Sequence, residues 1–273
     1  MIIRFGCHAW VALCMAASFA TAASAAQAPA PSLYMLQDAL HRHRFVDLTH
    51  SFAPGIPHFP GFPDEKTETI NTIAKDGFTA QIFTHAGQWG THVDPPAHFH
   101  AGLHTVDQIS PADFLLKLVV LDIHAQAAAR PDYQVTMQDV AGWEKRHGPI
   151  PAGAFVALRS DWAKRWPNAA AMSNNDAKGV SHYPGWSMPV LKFLLERRHV
   201  TAIGHETTDT DPGFRAYAND FSLESYVLGT NHFQIEMLAN LNQVPEAGAL
   251  IIVAFPKPEN GTGFPARAVA ILP

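Results

Sequence analysis

Hydrophobic residues in this chain follow two rhythms. Short aliphatic runs bounded by turn formers, LLKLVVLDIHA (115–125), GAFVALRSDW (153–162), VTAIGHE (200–206), ALIIVAFPKP (249–258) and ARAVAIL (266–272), predict buried strands. Spacing of three and four predicts helices: LYMLQDALHRH, with Leu33, Leu36 and Leu40 on one side; TMQDVAGWEKRHG, starting after Thr136 and stopping at Gly148; and WSMPVLKFLLERRH, where Pro189 falls in the tolerant first turn. RFVDLTHSF and FTAQIFTHAG read as further strands, the second running directly into a polar stretch at 88–100. LESYVLGTNHFQIEMLANLNQVP starts as a helix and turns strand-like at its centre. APGIPHFPGFP holds four prolines and predicts an open loop, a lid or pocket rim. Strands outnumber helices and the two alternate irregularly, which predicts an α/β or α+β fold with a mixed sheet, in one domain over 27–273.

The composition, 47% hydrophobic and 16% charged, is that of a globular chain, and a formal net charge of -5 leaves no basic excess for a nucleic acid. The first residues differ from the rest. MIIRF supplies a positive charge at Arg4, and WVALCMAASFATAASA is a short apolar run ending in small residues, the pattern of a secretory leader over 1–26. That run is shorter than the ~20 apolar residues that span a bilayer, so the expectation is a periplasmic or secreted protein with no membrane attachment after cleavage. Cys7 and Cys14 both lie in this leader, so the mature chain is expected to hold no thiol. Any metal must then be held by His, Asp, Glu or Gln.

Those residue types gather in QWGTHVDPPAHFH (88–100). His92 and Asp94 are two apart, so on an extended backbone they leave from one face and converge on one ion. Asp94 precedes Pro95, which biases it to extended geometry, and the Pro95-Pro96 turn brings His98 back to the same point. Gly87 and Gly90 allow close backbone approach. Imidazole and carboxylate donors without sulfur suit Zn²⁺, Mn²⁺ or Fe²⁺ in an open, catalytic site rather than a closed structural one.

GTHVDPPAHF resembles the H-x-G-T-H-x-D-x-P-x-H-F signature of the metal-dependent cyclase family, which includes bacterial kynurenine formamidases and isatin hydrolases. DLTHSFAPGIPHFP, HYPGWS, AIGHETTD and IEMLANLNQVP are similar to further segments of that family, so the resemblance spans most of the mature chain. It implies a swivelling β/β/α fold, a homo-oligomer, and hydrolysis of an amide, formamide or lactam at one or two divalent ions, Zn or Mn. His92 and Asp94 match the family's metal ligands, His98 its general base or second-metal ligand, and Glu236 a glutamate that binds metal or manages a proton. Two positions depart from the pattern. Gln88 stands where the signature has a ligand histidine, offering a neutral oxygen, and Glu224 stands where the formamidases carry a second histidine. A local shift of register would bring in His85 or His232 instead. Taken as they stand, the departures favour a single, oxygen-rich site.

Other candidates are weaker. Trp89, Phe59 and Trp186 offer either stacking partners for an aromatic small-molecule substrate or core packing, His58 a substrate hydrogen bond from the Pro-rich loop, and His182 a substrate contact or a structural one. His205 and Glu206 are as readily structural as ligand partners; Asp209 and Asp211 read as a solvated turn, and His100 and His104 as pocket edge or surface. The leading expectation is a secreted, arylformamidase-like hydrolase of C–N bonds in which His98 takes a proton and Glu236 holds the ion or relays the proton. The alternative is a non-catalytic periplasmic metal- or ligand-binding protein on a degenerate scaffold, motivated by Gln88 and Glu224.

Overall fold

The computed structural model describes residues 1–2 and 31–273, so the leader expected at 1–26, both cysteines included, lies outside the described residues but for Met1 and Ile2. The aliphatic runs become the centre of a nine-stranded mixed sheet. Its strands are β1 (Phe45–Asp47), β4 (His92–Asp94), β5 (Leu115–Asp122), β6 (Ala154–Arg159), β7 (Ala202–His205), β8 (Phe233–Glu236), β9 (Ala249–Ala254), β10 (Phe264–Pro265) and β11 (Arg267–Ile271). Their order is β1-β11-β9-β5-β6-β7-β8-β4-β10. The pairs from β5 to β8 are parallel, and the others are antiparallel.

Both faces of the parallel centre are buried, which is why its strands are continuous aliphatic runs rather than alternating ones. On one face Val119, Leu121, Val156, Leu158 and Ile203 pack under the helices Met137–His147, Met188–Lys192 and Ser222–Gly229 through Val140, Trp143, Val190, Leu191, Leu223 and Val227. On the other, Leu118, Val120, Phe155 and Ile235 share one core with Val46 of β1 and Val93 of β4. Those two strands lie near opposite ends of the sheet order, so the sheet curls until its ends approach, and a bridge between Thr49 and Leu238 ties the two sides. Gly204 makes the curl tight: a Cβ there would stand 2.6 Å from Phe155 Cζ.

The helix boundaries at Thr136 and Gly148 follow their signals: Thr136 and Asp139 form a reciprocal capping box, and Gly148 ends the helix at φ +84°. FTAQIFTHAG does not run into the motif as one strand. β3 (Ala80–Thr84) pairs only with β2 (Lys66–Asn71) in a separate hairpin, whose polar pattern KTETIN hid it from a hydrophobic reading. LESYVLGTNHFQIE resolves into the helix Ser222–Gly229 and β8, so its mixed pattern marked a boundary. Among the described residues no helix is long and apolar enough to cross a membrane.

One half-buried histidine carries a pH dependence. His50 stacks on Trp166 with ring centroids 4.2 Å apart, and its Nε2 is buried without a hydrogen-bond partner. Burial lowers its pKa from 6.5 to about 4, so between those values the unfolded chain holds a proton that the fold refuses. Stability present above about pH 6.5 is lost as pH falls toward 4. His50→Phe keeps the stack and removes the titration, so its melting temperature should fall less than the wild type's on acidification; an equal fall in both would count against this assignment.

Candidate metal centre

β4 lies antiparallel to β8 with His92 opposite Glu236 and Asp94 opposite Gln234. Residues two apart share a face, so these four side chains form one patch, while Val93 and Ile235 turn into the core behind. The neighbour of Gln234 on β7 is Ile203, a member of the helix-covered core, so the patch looks toward the helices.

His92 Nδ1 lies 2.7 Å from the Gly90 carbonyl and must donate to it. Its Nε2 then faces Asp94 Oδ2 at 3.4 Å and Glu236 Oε2 at 3.5 Å. Three electron-rich atoms thus meet in a buried place, and Asp94 Oδ1 is buried with no partner at all. Burial alone would lower the His92 pKa, but Asp94 outweighs it and the net direction is upward: the site favours positive charge. Burial would raise Asp94, and His92 reverses that, so Asp94 lies below the usual range. Glu236 and Glu224 are driven well above theirs, by burial first and then by the Asp94 charge. Three carboxylates at this spacing cannot all ionise without a cation.

The residues fit a divalent ion. Two donor sets share Asp94, one of His92, Asp94 and Glu236, the other of Asp94, His98 and Glu224, each with ligand atoms within 4.8 Å of one another. An imidazole whose far nitrogen donates to a carbonyl is oriented as metal-bound histidines are.

Glu224 is brought in by the helix Ser222–Gly229, whose Leu223 and Glu224 N–H groups donate to Asp211. Asp211 is therefore a buried cap rather than a solvated turn residue, and burial raises its pKa to about 6. Asp209 is no surface turn either: it lines the cavity and accepts hydrogen bonds from Tyr183 and Thr208. His205 supports a ligand. Its Nδ1 accepts from Trp186 at 3.3 Å, its Nε2 donates to Glu236 at 3.2 Å, and burial lowers its pKa to about 3, so the ring is neutral. Glu206 points elsewhere, accepting from Ser160 and Trp162 as a structural carboxylate.

Gln88 sits beside His98. Its Nε2 donates to the Thr262 carbonyl at 2.7 Å and lies 3.3 Å from His98 Nδ1, so nitrogen, not oxygen, faces the imidazole. Gly263 makes room, since a Cβ there would lie 2.0 Å from that nitrogen, and Gly87 lacks the Cβ that would meet the Gly263 carbonyl at 2.4 Å.

The cavity above these groups has a volume of about 410 Å³. Phe59 lines it, joined by Phe62, Phe99 and Phe221, which the sequence left among ordinary apolar residues. Three of the expected substrate contacts fall outside it. Trp89 is fully buried behind the patch, donating to Glu65 at 2.9 Å. His58 packs on Trp89 at 4.5 Å and lines a neighbouring chamber. His182 pairs with Asp132 at 2.8 Å, away from the ligands. Trp186 is core. His85 bonds the Ala86 carbonyl and His232 Nδ1 lies 3.0 Å from Thr230 Oγ1, whose proton goes to the Val227 carbonyl, so neither joins the two donor sets; His100 holds the Ser225 carbonyl and His104 meets Asn231.

Comparison with known proteins places these features in context. The family model "Putative cyclase" matches residues 46–212. An isatin hydrolase of Roseibium aggregatum is 34% identical over 242 residues, 84% of this chain and 91% of that protein. Isatin hydrolase A of Ralstonia solanacearum superposes with a TM-score of 0.82 at 33% identity, covering 91% of this chain and 100% of that one. An isatin hydrolase bound to the product analogue thioisatinate gives 0.81 at 30% identity, covering 88% and 97%.

Proposed function

This chain belongs to the putative cyclase family and is a metal-dependent hydrolase of amide C–N bonds, and from that premise we propose that it opens the lactam ring of a flat, fused aromatic compound of the isatin kind. The observation that carries the proposal is the His92–Asp94–Glu236 cluster at the base of a cavity walled by four phenylalanines, Phe59, Phe62, Phe99 and Phe221. Apolar walls desolvate a planar ring and present ring faces and edges to it. The two isatin hydrolases that superpose on most of this chain support a lactam over an open-chain formamide.

His92, Asp94 and Glu236, or Asp94 with His98 and Glu224, would hold a divalent ion, which when bound would supply Lewis acidity at a carbonyl oxygen and lower the pKa of water. The chain's own groups manage the protons. His98 takes one from the water that attacks the carbonyl carbon. As the C–N bond breaks, the leaving nitrogen receives the proton that His98 took, and the second proton of the water leaves for solvent as the new acid ionises to a carboxylate; Glu236, whose Oε1 accepts from His205, holds the ion or relays the first proton. We place the activity outside the cytoplasm, a reading supported by the charged start and short apolar run of the leader.

The test is a substrate panel of isatin, N-methylisatin, a simple aromatic lactam and an N-formylaniline. Ring opening of isatin, abolished by chelation and restored by Mn²⁺ or Zn²⁺, is expected. A faster turnover of the formamide would overturn the lactam reading, and chelator-resistant activity the metal reading.

A further inference from the structure

Between the three carboxylates lies a group that neither the motif nor the ligand sets include. Gln234 Nε2 stands 3.2 Å from Asp94 Oδ2, 3.2 Å from Glu224 Oε1 and 3.0 Å from Glu236 Oε1, and its side chain is fully buried. An amide has two N–H groups, so two protons are shared among three oxygens from three separate elements, β4, β8 and the helix Ser222–Gly229. The other end is fixed as well: Thr210 Oγ1, itself fully buried, donates to Gln234 Oε1 at 2.6 Å. Turning the amide over would set its oxygen against the Asp94 carboxylate, so the carboxylate side fixes the orientation and the Thr210 hydroxyl, able to donate, matches it.

We propose that Gln234, oriented by Thr210, is the positioning residue that gathers Asp94, Glu224 and Glu236 into a prearranged ring for the divalent ion. A neutral donor suits this task because it fixes the oxygens without cancelling their charge, so the demand for a cation stays. A lysine in the same place would satisfy the carboxylates and compete with the ion. The inference rests on the metal-dependent reading above, and its test separates the two.

Chelator-stripped protein is titrated with Mn²⁺ alone, and free Mn²⁺ is followed by electron paramagnetic resonance. Gln234→Met, close in length but without N–H groups, should bind Mn²⁺ about 10- to 100-fold more weakly than wild type, the usual size of a lost partner behind a metal ligand. Thr210→Val should weaken binding in the same direction, and Thr210→Ser, which keeps the hydroxyl, should restore it. That rescue is what a general packing role would not produce. Where Gln234→Met fails to fold, the Thr210 pair decides. Wild-type affinity in a folded Gln234→Met, or equal affinity of Thr210→Val and Thr210→Ser, overturns the inference. No Mn²⁺ binding by the wild type removes the metal reading and the inference with it.

Discussion

Asp94→Asn is expected to lose its ion and at least about a thousandfold of turnover, roughly 4 kcal/mol of transition-state stabilisation. The loss takes both properties at once because Asp94 belongs to both donor sets. An ion shared with His92 and Glu236, or one shared with His98 and Glu224, loses a charged oxygen in either case. The same substitution removes a buried negative charge that pushes the pKa values of Glu224 and Glu236 upward. The metal-free variant should therefore melt no lower than the metal-free wild type. Elemental analysis, a rate assay and a melting curve on stripped protein check all three parts. A variant that keeps its ion would mean that Asp94 is not the shared ligand.

His98→Ala should divide the two properties that Asp94→Asn removes together. Turnover is expected to fall about 10²- to 10⁴-fold, the range for a lost general base. Metal content should be largely retained, because the cluster of His92, Asp94 and Glu236 does not include His98. Ion content of the purified variant decides: metal loss equal to that of the Asp94 variant would make His98 a ligand and leave the base unassigned.

Why some of this was legible in the chain and some was not has a local explanation. In β4, HVD, the side-chain period of two is enough to predict that His92 and Asp94 leave one face together. Glu236 was reached only through resemblance, because nothing in QIEMLANL says which strand it will lie beside. That is settled by the antiparallel register that sets it opposite His92. Trp89 was expected at the substrate because it flanks the motif in sequence, yet the chain turns at Gly90, with φ at +62°, and Trp89 goes inward to Glu65. The phenylalanines of the cavity come from three separate stretches, around 59–62, 99 and 221, and no pattern within any one of them marks it as a wall.

By itself, then, the sequence determined the aliphatic strands of a mixed sheet, the Thr136 and Gly148 helix boundaries and one half of the metal site, because those depend on residues a few positions apart. Only the tertiary structure decided that Asp211 caps the helix that delivers Glu224, that Asp209 faces the cavity, and that Gln234 stands among three carboxylates. Each of those depends on register between strands and on which helix covers which face, and both are set by burial over the whole molecule.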